Sequence, residues 1–73
     1  MTDTVTEIRK EKIGDHEIIM EFDSNVNMYT VTDVSPSYLG FINTENRQKA
    51  NKKFLYQCKK RRKELFFAEG GVA

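Results

Sequence analysis

The chain has 73 residues, of which 38% are hydrophobic and 32% charged, and 12 basic residues against 11 acidic ones give a formal net charge of +1. A chain of this length forms at most one domain, taken here as residues 1–73, and has little room for the enclosed cleft of an enzyme. One cysteine excludes an internal disulfide, and the absence of about 18 consecutive apolar residues excludes a membrane span. Since the first residues also lack the pattern of a signal peptide, we expect an intracellular, cytoplasmic domain.

The first half of the chain predicts an antiparallel β-meander of three to four strands over residues 4–42. Thr4 to Ile13 is rich in β-branched residues and predicts the first strand, and Gly14-Asp15 after it is typical of a turn. Residues 17–23 alternate between apolar and polar side chains, which predicts a second strand with one buried face. The apolar members of that face are Ile18, Met20 and Phe22.

Two further strands are predicted after a loop at residues 23–27. The stretch from Met28 to Val34 alternates well enough for a third strand. Pro36 then interrupts the pattern, because proline has no backbone N–H to donate to a sheet. The short apolar run from Tyr38 to Ile42 fits a fourth strand, and we expect Phe41 within it to join the core.

The second half of the chain predicts one long helix over residues 44–69 and a flexible tail at 70–73. Asn43 or Thr44 is expected to cap the helix through a side-chain oxygen. Glu45 would then lie in the first turn, where a negative charge suits the helix dipole. No glycine or proline interrupts this range, and the glycine pair after it ends the helix.

At about 100° per residue, the predicted helix has an apolar face and a basic face. The apolar face is expected to pack on one face of the sheet, which gives an α+β fold. Its members are Ala50, Phe54, Cys58 and Leu65, extended on one side by Leu55 and Phe66, and they would contact Ile18, Met20, Phe22, Tyr29, Val31 and Phe41. Three arginines should cover the edges with their stems while their guanidinium groups reach water: Arg47, Arg61 and Arg62.

The small net charge conceals an uneven distribution along the chain. Residues 1–44 contain eight acidic residues against three basic ones, a net of −5, whereas residues 45–73 contain nine basic residues against three acidic ones, a net of +6. Such asymmetry points to nucleic acid or an acidic surface as partner. The alternative is that the two halves attract each other and the remaining charge is solvated.

The basic face of the predicted helix carries six lysines within an arc of about 120°, with a tyrosine near its centre. Few acids lie three or four residues away to pair with these lysines, and like charges at that spacing destabilise a helix. Lysines neutralise phosphates, and a tyrosine can stack on a base. We therefore expect a non-enzymatic module that binds DNA, RNA or another anionic surface through Lys49, Lys52, Lys53, Tyr56, Lys59, Lys60 and Lys63.

Leu55, Phe66 and Phe67 support an alternative function of a different class. Two-layer packing does not bury them fully, so they could form a patch for a protein partner or for a homodimer. The chain would then be a small protein-binding inhibitor or adaptor. The order of hairpin, proline turn, short strand and helix loosely resembles the partial sheets of some antitoxins of type II toxin–antitoxin systems, and equally many small phage and plasmid proteins. No motif carries a residue role over from either.

Catalytic, metal and cofactor sites are not predicted. Asp23, Asn25 and Asn27 have the spacing of the start of a calcium loop, but the glycine and the glutamate that the loop needs further on are missing, so we expect a hairpin turn. His16 has no nucleophile near it in the sequence. Cys58 lies on the apolar face of the helix, which is typical of a buried structural thiol.

Overall fold

The computed structural model describes residues 4–68 and residue 70, and it shows an α+β fold. Strands β1 to β4 form an antiparallel sheet in the order β1-β2-β3-β4, and helix α1 packs against one face of that sheet. The bounds are β1 Val5–Ile13, β2 His16–Asp23, β3 Met28–Ser35, β4 Tyr38–Thr44 and α1 Arg47–Ala68. The predicted meander with a C-terminal helix is confirmed, including the fourth strand.

The first two of the three hairpin turns follow local backbone chemistry. Gly14 has a φ of 60° in the β1–β2 turn, a conformation that glycine adopts without a steric penalty. Asn27 has a φ of 54° in the β2–β3 turn, and asparagine is among the few other residues that tolerate this region. In the same turn the Asn25 backbone N–H donates to Asp23 Oδ1 at 2.9 Å. The segment from Asp23 to Asn27 is therefore a hairpin turn, as the sequence predicts.

The core lies between α1 and the face of the sheet that α1 covers, which we call the inner face. Side chains two residues apart on a strand share a face, so the alternating apolar residues of β2 and β3 point to the inner face and form part of the core. A shift in register between Glu7 and Arg9 marks a bulge in β1, and Ile8 at this bulge packs on the core. The buried apolar residues are Ile13, Ile18, Met20, Val31, Ala50, Phe54 and Cys58, with Tyr29, Ile42 and Leu65 partly buried against them.

Phe41 does not join the core, contrary to the sequence-based expectation. The register sets Phe41 opposite Thr32 and Ile42 opposite Val31, so Ile42 packs on the core. Phe41 lies on the outer face of the sheet, away from α1, and is 63% exposed. The prediction was wrong because β4 is apolar on both of its faces, so its sequence does not reveal which side is inward.

The N-terminus of α1 is capped by Asn46 rather than by Asn43 or Thr44. The Lys49 backbone N–H donates to Asn46 Oδ1 at 3.1 Å, as an N-cap side chain requires. Thr44 Oγ1 instead accepts from the Asn46 backbone N–H. Glu45 precedes the helix, and the first turn of α1 contains no acidic residue, so the expected position of Glu45 in that turn was wrong.

The C-terminal end of α1 agrees with the predicted glycine stop. Gly70 has a φ of 80°, and its N–H donates to the Phe67 carbonyl at 3.1 Å. A glycine in this conformation closes the last turn of a helix. The predicted helix position Glu69 and the tail positions 71–73 lie outside the described residues.

Candidate anion-binding surface

The outward side of α1 brings the predicted binding residues together on one surface, which we call the basic face. It spans about 21 Å, at 1.5 Å per residue from its first member to its last. Lys53 is half-buried and the other members are exposed. The buried positions of α1 lie on the other side of the helix. The members of the basic face are Lys49, Lys52, Lys53, Tyr56, Lys59, Lys60 and Lys63.

The six lysines of the basic face have no acidic partner among residues 4–68 and 70. The ion pairs formed in this part of the chain lie elsewhere, and the helix acid Glu64 pairs with Arg61. Their positive charge is therefore not neutralised by described acids of the protein. The remaining ion pairs are Lys10–Glu17, Arg61–Asp33 and Arg62–Glu11.

Tyr56 lies at the centre of the basic face and is 58% exposed. The ammonium group of Lys53 lies 5.2 Å from the centroid of the Tyr56 ring, within the range of a cation–π contact. Tyr56 also lines a surface depression of about 330 Å³ together with Lys59, Lys60 and Lys63. An aromatic wall beside ammonium groups suits a ligand that combines a planar ring with negative charge.

A buried polar cluster under α1 holds the basic face outward. The Asp33 side chain is 2% exposed and projects from β3 into the interface between sheet and helix. Its Oδ2 accepts hydrogen bonds from Gln57 Nε2 at 2.9 Å and from Arg61 Nε at 2.7 Å. Its Oδ1 lies 2.7 Å from His16 Nδ1. Two donors from α1 on one carboxylate fix which side of the helix faces the sheet.

Arg61 is buried, which corrects the expectation that its guanidinium group reaches water. Besides its bond to Asp33, Nη1 donates to Glu64 Oε1 at 2.7 Å, and the guanidinium carbon lies 5.1 Å from the centroid of the Tyr38 ring. Burial lowers the pKa of Arg61, but hydrogen bonds with Asp33 and Glu64 outweigh this effect and raise the pKa above its ordinary value. The charge on Arg61 is therefore permanent and compensated.

Sequence reasoning did not identify Asp33 and Gln57 as partners of Arg61. A usable signal was present on both elements. Asp33 has the same phase in β3 as the inward residues Tyr29 and Val31. An acid in the apolar phase of a strand, facing a basic residue in the apolar phase of a helix, indicates a buried ion pair.

Cys58 and His16 lie among groups that pack or hydrogen-bond with them within the fold. Cys58 is free and buried, as predicted, and burial raises the pKa of its thiol although the nearby Arg62 opposes this shift. His16 contacts Asp33 and lies 6.0 Å from Tyr38, measured between ring centroids. Within residues 4–68 and 70, no group of histidine, cysteine and acidic side chains could hold a metal ion.

The predicted apolar patch on α1 is exposed. Leu55 is about half exposed, as are the two neighbouring phenylalanines. The rings of Phe66 and Phe67 meet edge to face, with 5.6 Å between their centroids. This part of α1 therefore presents apolar surface outside the core.

No protein-family model, curated protein or solved structure matches the chain. In the described part of the chain, α1 lacks the apolar character that a membrane-crossing helix needs.

Proposed function

We propose that this protein is a non-enzymatic cytoplasmic module that binds nucleic acid through the basic face of α1. The observation that carries the proposal is the set of six exposed or half-exposed lysines without an acidic partner among the described residues. Lysines three or four positions apart repel each other on a helix. A row of phosphates relieves this repulsion and releases its own counterions on binding.

The dimensions of the basic face fit a nucleic acid backbone. The phosphates of one strand of a duplex rise by about 3.4 Å each along the duplex axis, so about 21 Å of axis passes roughly six phosphates of each strand, and a straight helix faces those on its own side of the duplex. Tyr56 adds a ring on which a base or a sugar can pack. Contacts of this kind are directed at the backbone, so we expect binding with weak sequence preference and strong dependence on salt.

Fluorescence anisotropy with labelled single-stranded and duplex DNA and RNA of 20 nucleotides tests the proposal. The double variant Lys52→Glu/Lys60→Glu removes two exposed charges of the basic face. The matched control is Lys10→Glu/Lys12→Glu on β1, which changes the net charge equally but lies on the outer face of the sheet. We expect the helix variant to bind at least about tenfold more weakly, since each phosphate contact contributes to affinity. Equal weakening by both variants, or no binding by the native protein at low salt, contradicts the proposal.

A second candidate function is a protein-binding inhibitor or adaptor that acts through the exposed Leu55, Phe66 and Phe67. The exposure of all three and the contact between the two phenylalanine rings favour it, because exposed apolar surface marks interaction sites. A pull-down from nuclease-treated lysate separates the two functions. A protein partner that survives nuclease and is lost with Phe66→Ser/Phe67→Ser supports the adaptor, whereas loss of every partner on nuclease treatment supports nucleic acid binding.

A further inference from the structure

The two outer strands of the sheet differ in the features that protect an edge from pairing with another strand. The outer strands are β1 and β4, and such strands leave a row of backbone N–H and C=O groups without a neighbouring strand. Natural proteins protect such edges with charges and bulges. The β1 edge has both, because a bulge lies between Glu7 and Arg9 and the strand contains the charged residues Glu7, Arg9, Lys10, Glu11 and Lys12.

The β4 edge has no such protection. Its seven residues, Tyr-Leu-Gly-Phe-Ile-Asn-Thr, include no charge, and among residues 4–68 and 70 only β3 lies beside it in the sheet. Leu39 and Phe41 point to the outer face and are 66% and 63% exposed. Helix α1 lies on the inner face, so it does not cover these two side chains. Within the described part of the chain, the β4 edge therefore combines backbone groups that no other strand pairs with and exposed apolar side chains.

Strand β4 is also compatible with itself, which β1 is not. Full antiparallel overlap of two β4 strands sets Phe41 opposite Phe41, Leu39 opposite Asn43 and brings no charges together. The same operation on β1 sets Arg9 opposite Arg9 and Glu7 opposite Glu11. Like charges directly opposite one another destabilise a strand pair. Self-pairing is thus disfavoured at one edge of the sheet and unopposed at the other.

We propose that β4 pairs with β4 of a second copy of this chain, antiparallel and centred on Phe41, to form an eight-stranded sheet across a dimer. The two-fold axis of such a pair runs perpendicular to the sheet, so both α1 helices lie on the same side. The two Phe41 side chains meet on the other side, each diagonal to Leu39 of the other copy, and this aromatic pair adds to apolar burial. The dimer doubles the basic face on one surface, but its formation does not depend on nucleic acid.

Sedimentation velocity without nucleic acid, at protein concentrations from 5 to 200 µM (about the range in which weak dimers form), tests the proposal. We expect a species of twice the 8.5 kDa chain mass. Leu39→Lys/Phe41→Lys places charges on the β4 edge and should give a monomer with an unchanged circular dichroism spectrum. Phe66→Lys/Phe67→Lys is the matched control, with the same gain in charge at residues about half exposed on α1, and should remain a dimer. A monomeric native protein, or dissociation by the control variant alone, overturns the proposal.

Disulfide formation tests the register. Phe41→Cys lies opposite its own copy and should form a covalent dimer on mild oxidation. Leu39→Cys should not, because four residues separate it from its copy along the strand, about 13 Å, which exceeds the reach of a disulfide of about 7 Å between Cα atoms. Native Cys58 is buried and serves in both variants as an internal control. Cross-linking of Leu39→Cys with none of Phe41→Cys overturns pairing centred on Phe41.

Discussion

The two sides of α1 differ in whether their positive charges are paired with other groups of the protein. On the side facing the sheet, Arg61 is 9% exposed, and its guanidinium group contacts two carboxylates and an aromatic ring. On the basic face, six lysines have no acidic partner among the described residues. A buried charge must be paired within the protein, whereas an unpaired exposed row keeps its field available to a ligand. The first arrangement fixes the orientation of the helix, and the second is the surface through which we propose that the protein binds nucleic acid.

The largest expected effect follows from removing the acid on the inner side. Asp33→Ala leaves Arg61 buried without its main partner, which costs about 3–5 kcal/mol. A domain of this size is stabilised by only about 4–11 kcal/mol in total, so urea unfolding followed by circular dichroism should show a large loss. Glu64→Ala removes the more exposed partner of Arg61 and should cost less than about 1 kcal/mol. Equal unfolding midpoints for the two variants would contradict the assigned role of Asp33.

The inner side is also expected to shield Cys58 from reagents. Its thiol is buried and its pKa is raised by that burial, so little reactive thiolate is present at neutral pH. Labelling with a disulfide reagent should be at least about a hundredfold slower in the native protein than in urea, because exposure of a core position requires opening of the fold. The rate should rise with pH and reach half its maximum above the pH typical of an exposed cysteine. Fast labelling of the native protein at pH 7 would show that α1 does not cover this position.

A substitution on the basic face should change stability in the opposite direction. Lys59→Glu replaces repulsion of Arg62 and Lys63, three and four residues on, by attraction. Each repulsion removed and each attraction gained contributes about 0.2–0.5 kcal/mol, so for the two pairs together the variant should be more stable by roughly 0.8–2 kcal/mol. It should also bind nucleic acid more weakly, as expected where function opposes stability. Urea unfolding and anisotropy on the same sample measure both quantities, and a loss of stability would show that Lys59 has a structural partner.

The smallest effect is expected at the exposed ion pair between α1 and β1. Arg62 Nη2 lies 3.1 Å from Glu11 Oε1, and both side chains are accessible to solvent. Exposed pairs of this kind contribute about 0–1 kcal/mol and are weakened by salt. Arg62→Ala should therefore lower the free energy of unfolding by less than about 1 kcal/mol at low salt and by less still at 1 M NaCl. A larger loss would show that Arg62 stabilises the fold as a buried charge does, and would contradict its role as an exposed ion-pair partner.

The sequence predicts the elements well where a single periodicity dominates. The alternation of β2 and β3, the glycine turn at Gly14 and the uninterrupted second half all correspond to observed elements. It fails in β4, where Leu39 and Phe41 alternate with inward Gly40 and Ile42 and both faces are apolar. Which side of such a strand is covered depends on its register with β3, which is a tertiary property.

The buried cluster illustrates a second limit of sequence reasoning. Asp33 and Arg61 are 28 residues apart in the chain, and each alone is typical of a solvated surface residue. Only their positions in the repeat indicate that they point inward, because Asp33 shares a face with the apolar residues of β3 and Arg61 lies beside the apolar residues of α1. The basic face follows from the sequence alone, because its members lie on one helix at regular spacing and need no tertiary contact to come together.

The slope of nucleic acid affinity against salt tests the central claim most directly. For the native protein, the logarithm of the association constant should fall linearly with the logarithm of salt concentration. Lys52→Gln/Lys60→Gln should reduce that slope by about 1.4–1.8, which corresponds to two lost phosphate contacts, while Lys10→Gln/Lys12→Gln should leave it unchanged. A slope that is the same in all three proteins, or that the β1 variant reduces as much as the helix variant, would contradict binding through the basic face of α1.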